Sequence, residues 1–350
     1  MQKYWSLIKR LSKIAKHNFK KAEEIRAFKK QSLRYVDATL EERKILRKWN
    51  ISPSSSRLYN FQTYPPDLFL NDWERKRTHA INGVYGRAIS NKFLSHQILG
   101  STLRIPQLIA LVFDGSIEYE NDDEFAEDSR ELFLKPILGA AGKGAEDVSV
   151  NQGLISFEGK EFKLKQYIRK RIQSGCRSFI IQEKIKQSDF MSTLYQASTN
   201  TVRVITIRDP TTREVFAARA VLRVGTIASS PVDSFSQGGI SFHLDMKDGK
   251  IGAGGTNVGV TRLHSHPETG TVISGKKLIG FESVLSNAVA GHMSMPYINY
   301  AGWDFGIDSQ GAILVEVNRT TDVDLLQMHE PLLSDVRLRD FYKYHGIIDR

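Results

Sequence analysis

The sequence predicts an α+β protein with a basic helical extension at its N-terminus. Three observations carry this expectation. From Leu132 onward, short apolar runs rich in β-branched residues recur (LFLKPIL, SFIIQEKI, TVRVITI, EVFAARAVLRV, GGISFHLDM) and read as strands. Between and after them, residues 163–174, 278–292 and 331–344 read as helices. Near the end, GWDFGIDSQGAILVEVN reads as a hairpin, with Ser309-Gln310-Gly311 as a three-residue loop and Gly311 in the left-handed position.

Taken in order, residues 1–34 carry eleven Lys/Arg against Glu23 and Glu24, a local charge of +9 in a chain of net +10. Trp5, Ile8, Leu11, Ala15 and Phe19 recur at helical spacing among those cations. Such a helix either packs on its own domain or lies on an anionic membrane surface. The remainder of the chain is near neutral, and no nucleic-acid-binding motif is visible, so no nucleic acid is expected as a partner. Cys176 is the single cysteine, which excludes an intrachain disulfide. Lacking a recognisable His partner, it is not a candidate nucleophile. Without an apolar run of spanning length, the expected location is cytoplasmic, or peripheral on the inner face of the membrane.

Residues 35–128 read as mixed α/β. Ser90-Asn91 caps a helix starting NKFLSHQIL, Pro106 opens a strand at Leu108–Phe113, and the acidic stretch Glu118–Glu131 reads as a solvated helix or connector. The divisions expected are 1–50 for the basic extension, 51–130 for an N-terminal α/β subdomain, 131–185 for a lid subdomain and 186–350 for a C-terminal subdomain.

Two segments carry chemistry. In KPILGAAGKG, Lys135 ends a strand and Gly139, Gly142 and Gly144 make the next loop pliable. Backbone N–H groups there can approach phosphate oxygens, although an ordinary turn has the same composition. The spacing is neither a Walker A loop nor a Rossmann fingerprint. The second segment is the terminal hairpin. Pairing residues whose numbers sum to 620 sets Asp304 opposite Glu316, with Asn318 on the face of Glu316. Two facing acids and an amide call for a cation. Hard oxygens of this kind suit Mg²⁺, and an Arg or Lys partner or a solvated face is the alternative. Arg203 and Arg223 sit in apolar strands, and a buried guanidinium needs an anion. That anion is a structural carboxylate or a substrate phosphate or acyl phosphate, and the neighbouring site favours the substrate. His264-Ser-His266 lacks further metal ligands; His266-Pro267 reads as shaping a loop at the acceptor entrance.

Lys92, Lys135 with its Gly-rich loop, IIQEKI, and an Asp…Glu-x-Asn hairpin follow the order of elements in ATP-grasp ligases, which the chain resembles from about residue 88 to 328. NTVRVIT, AVLRVG, VDSFSQGGI, HPETG and GWD resemble the sugar-transfer-associated ATP-grasp group, with Ser234 departing from the Asn expected in the VDN-type loop. The resemblance implies an ATP-grasp fold, two α+β subdomains clasping ATP. It implies Lys92 and Lys135 on the α- and β-phosphates, and Gly139 to Gly144 as a lid. Gln182, Glu183 and Ile185 fall at the adenine, Asp189 at the ribose. Asp304, Glu316 and Asn318 would hold two Mg²⁺ ions, Mn²⁺ being the alternative. Arg203 and Arg223 are then the catalytic candidates, with Arg223 stabilising the tetrahedral oxyanion. Asn200, Asp233, Gly238, Gly239 and His266 are the substrate-binding candidates. The implied reaction joins a small-molecule carboxylate to an amine through an acyl phosphate, on a sugar or amino-acid substrate, in the synthesis of surface polysaccharide or of an amino-acid/sugar conjugate. The alternatives are an ATP-grasp kinase and a non-catalytic membrane-associated scaffold.

Overall fold

The computed structural model describes residues 22–33, 37–120, 129–139 and 142–350. The chain begins with helices α1 (residues 22–32), α2 (Leu40–Trp49), α3 (Pro53–Ser56), α4 (Asp72–Arg77), α5 (Gly86–Ser90) and α6 (Lys92–Leu99). Local signals start several of them. Thr39 and Glu42 form a capping box on α2, Asn71 and Glu74 one on α4, and Asn91 caps α6 through the N–H groups of Phe93 and Leu94. Among the described residues no strand precedes Leu108, so within residues 51–130 the helices come first and the strands follow, at Leu108–Phe113 and Ser116–Glu120. Phe28 of α1 is buried with Leu46 and Trp73, so this part of the basic extension packs on the fold. Trp5, Ile8, Leu11, Ala15 and Phe19 lie outside the described residues.

The first sheet contains β1 (Leu108–Phe113), β2 (Ser116–Glu120), β3 (Arg130–Pro136), β4 (Glu146–Asn151), β5 (Leu154–Phe157), β6 (Lys160–Phe162) and β7 (Phe179–Glu183). Its order is β2-β1-β7-β3-β4-β5-β6, antiparallel throughout. Helix α7 (Leu164–Gln173) lays Leu164, Tyr167 and Ile168 against this sheet. β1 and β2 join β7, so this sheet draws its strands from Leu108 onward. The two described ends of the acidic stretch belong to β2 and β3; residues 121–128 lie outside the described residues.

The second sheet follows α8 (Asp189–Leu194). It contains β8 (Thr201–Arg208), β9 (Val215–Val224), β10 (Ile240–Leu244), β11 (Ile251–Thr256), β12 (Gly259–Leu263) and, after helix α9 (Phe281–Met293), β13 (Tyr300–Asp308) and β14 (Gly311–Asn318). Its order is β12-β11-β10-β9-β8-β13-β14, again antiparallel. Both faces of its centre are covered, which is why β8 reads as a nearly continuous apolar run. Val202 and Val204 pack with Val284 and Ala288 of α9. Ile205 and Ile207 pack with Ile51, Leu58 and Phe69 of the N-terminal segment and with the closing helices α10 (Asp324–Gln327) and α11 (Val336–Tyr344).

At the terminal hairpin the pairs Gly302↔Asn318, Trp303↔Val317 and Asp304↔Glu316 keep the register read from the sequence. Beyond Asp304 a bulge shifts it to Phe305↔Leu314, and Asp308 pairs with Gly311. The loop is therefore Ser309-Gln310, not three residues, and the extra residue sits at Val315 instead of the tip. No helix among the described residues is long and apolar enough to cross a membrane.

Candidate active site

The two sheets face each other across one cleft. One wall is the row Arg203–Asp304–Glu316, directly paired across β8, β13 and β14. The other carries Lys135 on β3, Lys92 at the first turn of α6, and Gly139, Gly142 and Lys143. The loop after β9 closes one end with Asp233, Ser234, Phe235 and Ser236.

On the acid wall, Arg203 grips Asp304 through both Nε and Nη2, the latter at 2.7 Å, and donates Nη1 to Thr321 Oγ1 at 2.8 Å. Arg223 reaches Asp304 Oδ2 at 3.1 Å and Asp233 at 2.6 Å. Burial alone would raise the Asp304 pKa, but the two guanidiniums outweigh it and hold it at about 2. Burial wins at Asp233, whose pKa rises even with Arg223 beside it. Each arginine thus has a protein carboxylate as its anion; the sequence favoured a substrate anion. The cation demanded by the facing acids is, at Asp304, a guanidinium. Gly302 makes room for this arrangement: a Cβ there would lie 2.7 Å from Thr321 Cβ.

On the cation wall, Lys135 is buried and its Nζ donates to the carbonyl of Val315, the bulged residue, at 2.9 Å. Burial pushes its pKa down to about 8; Glu316 opposes that shift and Lys92 adds to it. Lys92 Nζ donates to Gly139 O at 3.3 Å and stands 3.8 Å from Glu316 Oε2. Gly142 lies against Val232, where a Cβ would come within 2.6 Å of a methyl group. Gly142 thereby touches the loop after β9; Ala140 and Ala141 lie outside the described residues.

Of the residues singled out in the sequence, Lys92, Lys135, Gly139, Gly142, Arg203, Arg223, Asp233, Asp304, Glu316 and Asn318 line this cleft. Gly144, Gln182, Glu183, Ile185, Asp189, Gly238 and Gly239 do not. Gln182 is buried and donates to Pro106 O, Glu183 is exposed beside Arg130, Ile185 packs over Gly306, and Asp189 is exposed at the start of α8. Gly238 and Gly239 shape the turn after Phe235, their N–H groups donating to Phe235 O and Ser234 O respectively.

Two substrate-binding assignments are corrected. Asn200 is fully buried, and its amide is saturated: Nδ2 donates to Met191 O and Tyr195 O at 3.0 and 2.7 Å, and Oδ1 accepts Gly225 N–H at 3.1 Å. His266 is buried, stacked on Tyr195, with Nδ1 accepting backbone N–H groups and Nε2 donating to Gly225 O at 2.8 Å. Both hold backbone, and neither lines the cleft. Conversely, Phe133, Lys143, Thr201 and Asp322 line it unannounced. Phe133 and Thr201 were within reach of period-two reasoning, each lying two residues from a lysine or arginine on the same strand face.

The donor set fits a divalent cation at its Glu316 end. Glu316 and Asn318 are half-buried, and the Asn318 amide nitrogen points to Glu316 Oε1 at 3.0 Å. Asp304 has both oxygens on guanidiniums, so only its remaining lone pairs are open to a metal. Among the described residues no three His, Cys, Asp or Glu side chains form a metal set. Two carboxylates and an amide suit Mg²⁺ arriving with phosphates of its own.

A family described as "Sugar-transfer associated ATP-grasp" matches residues 82–339. Solved structures similar to the chain include the VanG D-Ala:D-Ser ligase from Enterococcus faecalis, at 11% identity and TM-score 0.39, covering 73% of this chain and 62% of that one. Another is the D-alanine–D-alanine ligase from Bacillus anthracis, at 12% and 0.38, covering 73% and 68%. A third is the biotin carboxylase from Campylobacter jejuni, at 11% and 0.42, covering 73% and 46%. The chain thus spans less than two thirds of the first and third of these. No curated protein matches it.

Proposed function

This chain belongs to the sugar-transfer-associated ATP-grasp family, and we propose that it is an ATP-dependent carboxylate–amine ligase working through an acyl phosphate. The observation that carries the reading is the meeting of Lys92 and Lys135 with Glu316, Asn318 and Asp304 across one cleft. Lys135 is a buried ammonium with one carbonyl for a partner, poised for an anion. Lys92, bridging Gly139 and Glu316, links that anion site to the turn that covers it.

In this reading Lys92 and Lys135 hold the triphosphate of ATP, and Glu316, Asn318 and Asp304 hold Mg²⁺. The metal supplies charge neutralisation at the phosphoryl oxygens. A substrate carboxylate oxygen takes the γ-phosphoryl group, the γ-phosphorus–oxygen bond to ADP breaks, and ADP leaves. The amine then attacks the acyl carbon, the C–N bond forms, and phosphate departs with the electron pair of the C–O bond. The nitrogen's protons pass to solvent. Arg203 and Arg223 stand beside Asp304 to offset negative charge at the reacting carbonyl. The family description favours a sugar-linked substrate, small in size, for one of the two partners.

The test is Glu316→Gln. Turnover of ATP should fall by at least a hundredfold, about 2.7 kcal/mol, while the fold survives. Mg²⁺-dependent stabilisation by nucleotide, read by thermal unfolding, should disappear with it. Wild-type turnover in the variant would remove the metal assignment. ADP formation without amine and without free phosphate, the phosphoryl group staying on the acceptor, would move the reading to a kinase.

A further inference from the structure

We propose that Asp322 receives the ammonium group of the amine substrate. The inference rests on the ligase reading and names the acceptor's anchor within it. It comes from pairing off the charges that line the cleft. Asp233 pairs with Arg223 at 2.6 Å, Asp304 is held by Arg203 and Arg223, and Glu316 faces Lys92 at 3.8 Å. Asp322 is the fourth carboxylate on the cleft surface. Among the described residues no cationic side chain lies within 4.0 Å of it, and its carboxylate accepts only the Asp324 N–H, at 3.2 Å.

The surroundings hold this residue in place. Arg203 Nη1 hydrogen-bonds Thr321 Oγ1 at 2.8 Å, which fixes the neighbouring residue beside the Arg203–Asp304 pair. Behind Asp322 stand two further acids, Asp324 and Asp72, tied together by Ser55 Oγ at 3.0 and 3.1 Å. Arg75 is a half-buried cation set against all three acids: it lies 3.9 Å from Asp72, and the charges of Asp322 and Asp324 also act on it. This end of the cleft therefore carries more negative than positive charge, while the Lys135 end carries an unpaired ammonium. A ligase that joins an acyl phosphate to an amine needs that polarity, with anions bound at one end and a protonated amine steered to the other.

The experiment uses the full chain with Mg²⁺ and a non-hydrolysable ATP analogue bound. Ethanolamine, D-alanine and glucosamine are titrated by calorimetry, each beside its hydroxyl counterpart (ethylene glycol, D-lactate, glucose). The expected result is binding of at least one amine and not of its counterpart, weakened tenfold or more by Asp322→Asn and abolished by Asp322→Lys. Circular dichroism and an analogue affinity within threefold of wild type show that the variants are folded. Amine binding unchanged in Asp322→Asn overturns the proposal, as does a wild type that binds the analogue but none of the amines. Loss of Mg²⁺ affinity in Asp322→Asn with amine binding intact also overturns it, by assigning the carboxylate to the metal. A wild type that does not bind the analogue defeats the ligase reading instead.

Discussion

Two buried polar groups on the second sheet differ in one respect. Around Gly225, the described hydrogen bonds of the Asn200 and His266 side chains end on nearby backbone. Around Asp304, the members are charged and come from four strands, and the group opens onto a cleft. The first group is electrostatically complete and the second is not. Both looked alike in sequence, as polar residues in or beside apolar strands. The difference teaches that burial alone does not mark a working residue; an ionic group with its outer side open does.

Removing a member of each group sharpens the contrast. Asp304→Ala strands Arg203 without its carboxylate partner and leaves Arg223 with Asp233 alone. Breaking a buried ion pair in this way costs about 3–5 kcal/mol. Urea unfolding at neutral pH should read that loss, and a change below about 1 kcal/mol would show that the arginines re-pair elsewhere. The Asp304 contribution also has a pH signature. Its folded pKa of about 2 lies below the ordinary 3.8, so the stability it adds is complete above pH 3.8 and is lost as pH falls towards 2.

A smaller effect is expected from Asn200→Ala. The Gly225 N–H and the carbonyls of Met191 and Tyr195 lose a partner, at about 2–3 kcal/mol in sum. Because these groups hold backbone and touch no ligand in the reading above, the rise in melting temperature given by Mg²⁺–ATP should persist in the folded variant. Loss of that rise, with the protein still folded, would put Asn200 back among the binding residues.

The hairpin register near Asp304 was legible because strand side chains alternate, and a one-residue slip would have turned Trp303 and Phe305 out of the core. The bulge at Val315 was not, because nothing in AILVEV marks which residue is left over. Most strands from Leu132 to Asn318 announced themselves by β-branched runs; KEF, IGAGGT and GVTRL, short or rich in glycine, did not. Nor did three of the N-terminal helices: PSSS, DWERKR and GRAIS are too short to show a period, and what buries Trp73 (Phe28 and Leu46) and Ile89 (the core of the second sheet) lies elsewhere in the chain. Lys135, Arg203, Asp304 and Glu316 could be picked out singly as charges in apolar strands. That Arg203 meets Asp304, 101 residues away, follows only from the adjacency of β8 and β13. Asn200 misled because the saturation of an amide is set by Met191, Tyr195 and Gly225 together, which a linear pattern does not contain.

The smallest expected effect on stability belongs to Lys135 and has the opposite sign. Burial lowers its pKa from the usual 10.5 to about 8. Between those values the unfolded chain holds the proton more tightly, so stability rises with pH across that interval and the cost of the buried charge is complete below pH 8. Lys135→Met removes that charge but forfeits the bond to Val315 O. The net gain at pH 7 should be on the order of 1 kcal/mol and should vanish by about pH 10. Nucleotide affinity should move the other way, falling at least tenfold, since a phosphate loses its buried ammonium. In the wild type, binding above pH 8 must first protonate Lys135, so affinity should drop by up to tenfold per pH unit there, and the methionine variant should show no such slope. Calorimetric titration of an ATP analogue between pH 7 and 9.5, beside urea unfolding of both proteins, reads all three quantities. A variant that is less stable at pH 7 and binds nucleotide like the wild type would place Lys135 with Asn200, among the residues that only hold the fold.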